Sequence, residues 1–317
     1  MGMTPVVRAG LLRYGLMDIP NPRSAHTVPT PRGGGIACAL GVFLACVAAA
    51  LADRHVPWGA MVSVFALAGV GYADDRLRLP AGSRLATQTL AGATIGLALG
   101  GQGLVFPGAL VTPIVVNAVN FMDGINGITA LTMVLWGAVA TSVGSNSGVA
   151  DLSLLGTVSA ASALGFLPWN SPRARVFLGD SGSYLFGALV ATGLLLGKSH
   201  AMPMPVLGAP LAVYFADTGF TLAVRLIRQE RLFEAHREHV YQRLVHDLGR
   251  SHVTVALWVA STSGLIVATW ILTRTWVALS FTVVALAVYV CSVPISRAVA
   301  RQHFPGQLRI GLRGKDS

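Results

Sequence analysis

Two adjacent aspartates, Asp74 and Asp75, end an otherwise apolar stretch that begins at Phe65. A carboxylate in or beside hydrocarbon is costly, and two neighbouring carboxylates repel each other unless a cation or a proton relieves them. On a helix, adjacent side chains point about 100° apart, so we expect the two acids to reach different partners, one a metal and the other a substrate group. The alternative is a solvated turn at the interface. The pair predicts a metal or phosphate site at a membrane surface.

A second polar cluster places four amide or acid side chains within ten residues between apolar stretches: Asn117, Asn120, Asp123 and Asn126. Asn117 and Asn120 are three residues apart and share one face of a helix, and Asp123 continues that face. This density of polar groups between apolar spans favours a functional site over a structural explanation.

Two glycine-rich segments precede apolar spans. Gly33–Gly35 open the first span, so their backbone N–H groups are expected to be free to receive phosphate, unless the segment is a plain juxtamembrane loop. Asp180 lies between Gly179 and Gly182, and we expect the hydroxyls of Ser181 and Ser183 to cap the helix that follows. The alternative is that Asp180 is a helix cap with no other task.

The loop from Arg225 to His252 contains His236, His239 and Arg243, spaced three and four residues apart. This spacing predicts one helical face, and such a face suits phosphate anions; the alternative is a solvated basic amphipathic helix. No cysteine pair supports zinc, and the oxygen ligands elsewhere favour Mg2+. Asp217 lies within a span, where an acid is either functional or paired with a motif asparagine or arginine.

The composition requires membrane burial: 53% of the 317 residues are hydrophobic, 11% are charged and the mean hydropathy is +0.64. Apolar segments near 20 residues recur, which is the length that a bilayer core demands. We therefore predict an all-α, polytopic integral membrane protein, a single domain over residues 1–317. About ten spans are predicted, at 35–52, 57–73, 84–100, 104–119, 124–143, 152–168, 182–197, 203–224, 253–273 and 276–293; the fourth is interrupted by Pro107 and Pro113.

Lys and Arg are distributed asymmetrically along this topology. With the N-terminus in the cytoplasm, 20 of the 23 basic residues fall in cytoplasmic segments, as membrane topology favours. The net charge of +10 is therefore attributed to these loops rather than to nucleic-acid binding. The motif segments, at about 18–35, 72–84, 117–127, 170–183 and 225–252, all face the cytoplasm in this arrangement.

Taken together, these motifs resemble the polyprenyl-phosphate N-acetylhexosamine-1-phosphate transferases, of glycosyltransferase family 4 type. The resemblance implies transfer of an N-acetylhexosamine 1-phosphate from a UDP-sugar to undecaprenyl phosphate, with release of UMP. It also implies a Mg2+ requirement, with Mn2+ as an alternative. It places the protein in the bacterial inner membrane, at the start of cell-envelope polysaccharide assembly. A homodimer is left open.

The resemblance also implies roles for individual residues. We assign catalysis to Asp74, Asp75, Asp123, His236 and His239, and metal binding to Asp180 and Asp123. We assign substrate binding to Thr30, Arg32, Asn117, Asn120, Asn126, Phe177, Gly179 and Arg237, with Phe177, Gly179 and Asn126 near the uracil. Asp74 is expected to position or deprotonate the acceptor phosphate, and Asp75 to support the metal or Asp74. A one-step transfer and a covalent aspartyl route stay open.

Three features depart from the family pattern. The family usually has a further apolar span before Asp18, many members carry Asp at the position of Asn126, and the histidine motif differs from that of the muramoyl-pentapeptide transferases. The motif resembles the O-antigen subgroup associated with N-acetylfucosamine or N-acetylquinovosamine. The alternative function is a proton- or cation-coupled transporter, in which Asp217 would be the acid inside a span.

Overall fold

The computed structural model describes residues 3–20, 28–230 and 237–303. The described chain is helical apart from one small two-stranded hairpin. The elements in chain order are α1 (Met3–Arg13), β1 (Met17–Asp18), β2 (Thr30–Pro31), α2 (Gly35–Leu51), α3 (Trp58–Leu77), α4 (Ala81–Gly100), α5 (Gln102–Met122), α6 (Ile128–Asn146), α7 (Ala150–Asn170), α8 (Gly179–Ser199), α9 (Met204–Gly208), α10 (Ala212–Ile227), α11 (Val240–His246), α12 (His252–Leu272) and α13 (Thr275–His303).

Each of the ten predicted spans falls on a helix or, in one case, on two consecutive helices. In the part of the chain that the structure describes, six helical stretches are long and apolar enough to cross a membrane: Gln102–Met122, Ile128–Asn146, Ala150–Asn170, Met204–Ile227, His252–Leu272 and Thr275–Pro294. The apolar helix Gly35–Leu51 is shorter. The other three long helices, α3, α4 and α8, carry polar residues of the candidate site. The all-α polytopic membrane fold is confirmed.

Prolines interrupt the helices differently from the prediction. The fourth span was expected to be broken at Pro107 and Pro113, but α5 runs through both without a break. The eighth span is the divided one, because a 3-10 turn, Ala209–Leu211, separates α9 from α10. Pro210 lies within that turn and has no N–H to donate to an α-helical hydrogen bond.

Helix α8 is the central element of the bundle, because nearly all of its side chains are buried. It packs against α3 and α5 along its length and against α2 near its start. Two glycines permit this approach: a Cβ on Gly71 of α3 would clash with the carbonyl of Asp180, and a Cβ on Gly35 of α2 would clash with the backbone of Gly182. The N-terminus of α8 is therefore held in backbone contact with two neighbouring helices.

The hairpin brings the N-terminal segment to the same end of the bundle. β1 and β2 pair antiparallel, with Met17 opposite Pro31 and Asp18 opposite Thr30. Immediately after β2, Arg32 forms a parallel bridge with Phe177, the residue two positions before α8 begins. Helix α1, which the sequence did not predict, packs on α2 and α7.

Candidate active site

Asp75 holds the N-terminus of α8 from outside that helix. Its Oδ1 accepts a hydrogen bond from the backbone N–H of Asp180 at 3.0 Å, and its Oδ2 accepts one from the N–H of Ser181 at 3.2 Å. The first N–H groups of a helix have no partner within the helix, and a carboxylate there is favoured by the helix dipole. Both oxygens of this buried side chain are thereby occupied by protein groups.

Arg32 joins two of the carboxylates. Its Nε lies 2.7 Å from Oδ1 of Asp75 and its Nη2 lies 3.0 Å from Oδ1 of Asp180. Burial alone would lower the pKa of Arg32, but the charges of Asp180 and Asp75 outweigh it and raise the pKa above the ordinary value. The guanidinium is therefore a fixed positive charge between the two acids.

Asp74 points to a different set of groups. One oxygen accepts the backbone N–H of Leu79 at 2.8 Å, and the other lies 3.1 Å from Nη1 of Arg84 and accepts the Tyr184 hydroxyl at 3.2 Å. The adjacent acids thus reach different partners, as their helical spacing predicted. In the structure these partners are protein groups, so the catalytic roles of both acids stay predictions.

Asp123 is the acid with the weakest compensation. It follows α5, is partly buried, and has no Arg or Lys within ion-pair distance among the described residues. Burial raises the pKa of Asp123 to about 8, and the negative charges of Asp180 and Asp75 act in the same direction. The Asp123 carboxylate is therefore electrostatically coupled to the group at the start of α8.

The asparagines before Asp123 contact different helices. The Asn117 amide donates to Oε1 of Gln88 in α4 at 2.6 Å and to the carbonyl of Pro113 at 2.8 Å. Asn120 accepts the Ser183 hydroxyl at 2.9 Å, one turn beyond Asp180. Asn120 therefore joins α5 to the Asp180 region, whereas Asn117 joins α5 to α4.

The residues assigned to the uracil lie on two segments that Asn170 connects. Its Oδ1 accepts the N–H of Gly127 at 2.6 Å, and its amide donates to the carbonyl of Val176 at 3.2 Å. Asn126 and Phe177, the neighbours of those two residues, are consequently brought to the same end of the bundle. Asn126 also donates its side-chain amide to the carbonyl of Pro172 at 3.2 Å.

The glycine segment before α2 does not have the predicted open N–H groups. Gly33 and Gly34 donate to the carbonyl of Phe177 at 3.3 and 2.8 Å, and Gly35 donates to Leu178 at 2.8 Å. The prediction of a phosphate cradle there is wrong, because these groups join α2 to the segment before α8. Thr30, which we assigned to substrate, is buried in β2, and its hydroxyl donates to the carbonyl of Val28 at 3.0 Å.

The predicted serine caps of α8 are also wrong. The Ser181 hydroxyl donates to the carbonyl of Leu178 and the Ser183 hydroxyl donates to Asn120, and among the described residues no N–H at the helix start donates to either hydroxyl. That task falls to Asp75. Gly179 has a positive φ of 73°, and a Cβ there would lie 2.6 Å from Oδ2 of Asp75. Glycine is required at this position for its backbone conformation and for the approach of the Asp75 carboxylate.

The histidine segment differs most from the prediction. His236 lies outside the described residues, and α11 begins only at Val240, so His239 and Arg243 do not share a helical face. His239 is 3% exposed, with its Nδ1 3.0 Å from Oδ1 of Asp217, whereas Arg243 lies on the surface beside Asp247. Arg237 lines a cavity of about 250 Å³ between α10 and α11, which none of the four acids Asp74, Asp75, Asp123 and Asp180 lines.

Several site residues were not found from the sequence. Arg84 and Tyr184 contact Asp74, Gln88 contacts Asn117, Asn170 connects two loops, and Tyr241 donates to the carbonyl of Phe121 at 2.8 Å. Arg84 and Gln88 lie one turn apart in a span of low polarity, and this was a usable signal. Tyr184, Asn170 and Tyr241 have no such pattern, because their roles depend on long-range packing.

An apolar groove opens beside these polar groups. It has a volume of about 620 Å³ and runs between α4, α5 and α10. Its wall is mainly aliphatic and aromatic, including Leu85, Ile114, Phe121 and Leu222, and Asn117 lies within it. The groove thus connects an apolar surface of the bundle to the polar end of α5.

The donor set around α8 fits Mg2+. Asp74, Asp75, Asp123 and Asp180 interact electrostatically, and the arginines that contact them, Arg32 and Arg84, supply only two positive charges. Among the described residues, no group of three or more His, Cys, Asp or Glu side chains has the arrangement of a metal site. Mg2+ commonly uses one or two carboxylates together with water and substrate phosphates, so Asp180 and Asp123 are sufficient.

Comparison with known proteins agrees with this architecture. Residues 57–198 match the model of glycosyl transferase family 4. The decaprenyl-phosphate N-acetylglucosaminephosphotransferase of Mycobacterium leprae is 31% identical over 296 residues, covering 78% of this chain and 74% of that protein. The chain belongs to glycosyl transferase family 4. The matched region of this family member contains Asp74, Asp75, Asp123 and Asp180.

Other relatives cover different shares of this glycosyl transferase family 4 chain. The undecaprenyl-phosphate alpha-N-acetylglucosaminyl 1-phosphate transferase of Thermotoga maritima is 28% identical over 255 residues, covering 77% of this chain and 78% of that protein. The phospho-N-acetylmuramoyl-pentapeptide-transferase of Heliobacterium modesticaldum is 39% identical, but over 103 residues, covering 32% and 30%. This protein is therefore a multi-pass membrane transferase.

Proposed function

We propose that this protein transfers N-acetylglucosamine 1-phosphate from UDP-N-acetylglucosamine to a polyprenyl phosphate and releases UMP. An oxygen of the acceptor phosphate forms a bond to the sugar-linked phosphorus of the donor. The bond from that phosphorus to the bridging oxygen breaks, and this oxygen leaves with UMP. The observation that carries the proposal is an apolar groove whose wall includes Leu85, next to Arg84 in the chain, and Phe121, two residues before Asp123, in a bundle that also holds a cluster of four carboxylates and two arginines.

The groove fits the lipid and the cluster fits the phosphates. A polyprenyl chain is apolar and needs a surface such as Leu85, Ile114 and Leu222 provide. We expect the acceptor to be undecaprenyl phosphate, because it carries a long polyprenyl chain. Phe121 lines the groove one turn beyond Asn117 on α5, toward Asp123, and we propose that the lipid phosphate lies at this end.

The central electrostatic problem is to bring an acceptor anion against a diphosphate. A phosphate monoester is already mostly dianionic at pH 7, because its second pKa is about 6, so charge control matters more than a general base. Arg32 and Arg84 supply fixed positive charge on the two sides of the acid cluster. Mg2+ on Asp180 and Asp123 would neutralise phosphate charge when it is bound. Asp75 holds Asp180 and Arg32 in position, through a hydrogen bond to the first and an ion pair with the second.

The donor sugar is proposed from the relatives that cover most of the chain. Those from Mycobacterium leprae and Thermotoga maritima carry N-acetylglucosamine in their names, whereas the muramoyl-pentapeptide relative matches a third of the chain. N-acetylfucosamine and N-acetylquinovosamine are the alternative donors. The reaction would begin a cell-envelope polysaccharide such as an O-antigen, at the cytoplasmic face of the inner membrane. The excess of Lys and Arg in the segments that bear the site supports that orientation.

Purified protein, Mg2+, undecaprenyl phosphate and a panel of UDP-N-acetylhexosamines test the proposal. We expect lipid-linked sugar and equimolar UMP with UDP-N-acetylglucosamine, and loss of both in EDTA. Asp180→Asn should abolish the product without unfolding the protein. Asp151→Asn is the matched control, because Asp151 pairs with His55 at the other end of the bundle. Near-normal turnover by Asp180→Asn would refute the metal assignment, and no turnover with any donor would refute the function.

The transporter alternative gains no support from the acid that suggested it. Asp217 is 0% exposed and accepts hydrogen bonds from Thr221, His239, Val240, Tyr241 and Tyr289. The predicted pairing of Asp217 with a motif asparagine or arginine is not found: its partners are a histidine, hydroxyls and backbone groups.

A further inference from the structure

Asp217 lies in α10 and gathers five donors around one buried carboxylate. Oδ1 accepts the Thr221 hydroxyl at 3.2 Å, the N–H of Val240 at 3.0 Å and the Nδ1–H of His239 at 3.0 Å. Oδ2 accepts the N–H of Tyr241 at 3.1 Å and the Tyr289 hydroxyl at 2.8 Å. A buried carboxylate persists when such donors satisfy it, so the site is built to hold this group.

The backbone groups that Asp217 holds are the first N–H groups of α11. This helix has only seven residues, and the residue before it, His239, provides no side-chain cap. So short a helix is unstable alone, because its nucleation cost is not repaid within two turns. Asp217 supplies the missing cap from another helix, and by accepting from His239 it also fixes the orientation and tautomer of that ring.

The side of α11 next to this anchor contacts the turn that carries Asp123. The buried Tyr241 hydroxyl donates to the carbonyl of Phe121 at 2.8 Å, and a Cβ on Gly124 would clash with that hydroxyl. The His239 ring packs between Phe121, at 5.9 Å between centroids, and Tyr241, at 5.8 Å. Asp123 lies between Phe121 and Gly124 in the chain, so α11 directly contacts the turn between α5 and α6 that carries Asp123.

We propose that Asp217 is a positioning residue for the transfer reaction: it anchors α11 so that Tyr241 fixes the turn that carries Asp123. This inference rests on the proposed function, in which Asp123 contributes to the Mg2+ site. The path runs from Asp217 through the backbone of α11 to the Tyr241 hydroxyl and then to Phe121. Asp217 itself touches neither substrate nor metal in this arrangement.

The test compares two Tyr→Phe variants that each remove one buried hydroxyl. Tyr241→Phe removes the contact with the α5–α6 turn, whereas Tyr289→Phe removes one of five donors to Asp217 on the side of α13. We expect Tyr241→Phe to raise the Mg2+ concentration for half-maximal activity about tenfold, because orienting groups around metal ligands have effects of 10–100-fold. Tyr289→Phe should leave it within about twofold of the wild-type value.

Asp217→Asn should raise the Mg2+ concentration for half-maximal activity at least as much as Tyr241→Phe does. The double variant that carries both substitutions should raise it no more than Asp217→Asn alone, because both residues act through the same contacts. The increase in melting temperature produced by Mg2+ and UDP together, measured without turnover, should shrink in the same variants. An unchanged Mg2+ dependence in Tyr241→Phe, or fully additive effects in the double variant, would overturn the inference. Inactive wild-type protein would instead overturn the proposed function.

Discussion

The substitution Asp75→Asn distinguishes two roles for Asp75: holding the N-terminus of α8 in place, or acting only in the chemical reaction. Asp75 makes three contacts, with Nε of Arg32 at 2.7 Å and with the N–H groups of Asp180 and Ser181 at 3.0 and 3.2 Å. If these contacts are its main task, the substitution must destabilise the protein as well as inactivate it. An acid with a purely chemical role would lower activity alone.

The size of the effect follows from the geometry. The asparagine keeps one oxygen for Asp180 but places an NH2 group opposite the N–H of Ser181, so a buried donor loses its partner at a cost of about 1–3 kcal/mol. Loss of negative charge at the start of α8 removes about 0.3–1 kcal/mol more. The Arg32 contact adds about 0–1 kcal/mol, because the Arg32 side chain is 39% exposed. The expected destabilisation is therefore roughly 1–5 kcal/mol.

The assay is the melting temperature in detergent, read together with transferase activity. Asp75→Asn should melt several degrees below the wild-type protein. Asp123→Asn is the control, because it makes the same chemical change at a carboxylate whose burial outweighs its hydrogen bond and charge partners. Removing that charge should raise the melting temperature in EDTA. A wild-type or higher melting temperature for Asp75→Asn would refute the anchoring role.

Three further predictions follow from single positions. Since folding raises the pKa of Asp123 to about 8 from about 4 unfolded, its contribution to stability is complete below about pH 4 and is lost as the pH rises to 8. In EDTA the melting temperature should thus fall from pH 6 to 8.5, and Asp123→Asn should flatten that slope. Gly71→Ala should lower stability and activity because its Cβ would clash with Asp180, whereas Gly69→Ala, with open space around it, should not; equal melting curves would contradict this. Asn170→Ala should raise the KM for the UDP-sugar more than it lowers kcat, and an unchanged KM would remove its link to the donor.

The membrane helices were predictable because their signal is local. A long apolar segment has few alternatives to a membrane or core helix, and every predicted span coincides with helix. The interruption was predicted at Pro107 and Pro113, but α5 is continuous and the break lies between α9 and α10. Which proline interrupts a helix depends on whether neighbouring groups satisfy the backbone, and the sequence does not show these neighbours.

The positions of the acids were predictable, but their hydrogen-bond partners were not. Asp75 and the N-terminus of α8 are 105 residues apart in the chain, and Asp217 and α11 are separated by a loop. No spacing rule connects such pairs. The serines next to Asp180 and the histidine spacing around His239 gave plausible local explanations, but long-range contacts replaced both.

Asp75 and Asp217 perform the same physical task at two places in the bundle. Each lies in one helix and accepts two N–H groups from the first turn of another, so each carboxylate contacts a helix terminus as well as a cationic or polar side chain. Asp123 and Asp180 have fewer hydrogen-bond partners than Asp75 among the described residues, and the negative charges of Asp180 and Asp75 raise the pKa of Asp123. We therefore propose that a cation binds at these two residues, and that Asp75 holds the N-terminus of α8, which carries Asp180, in place.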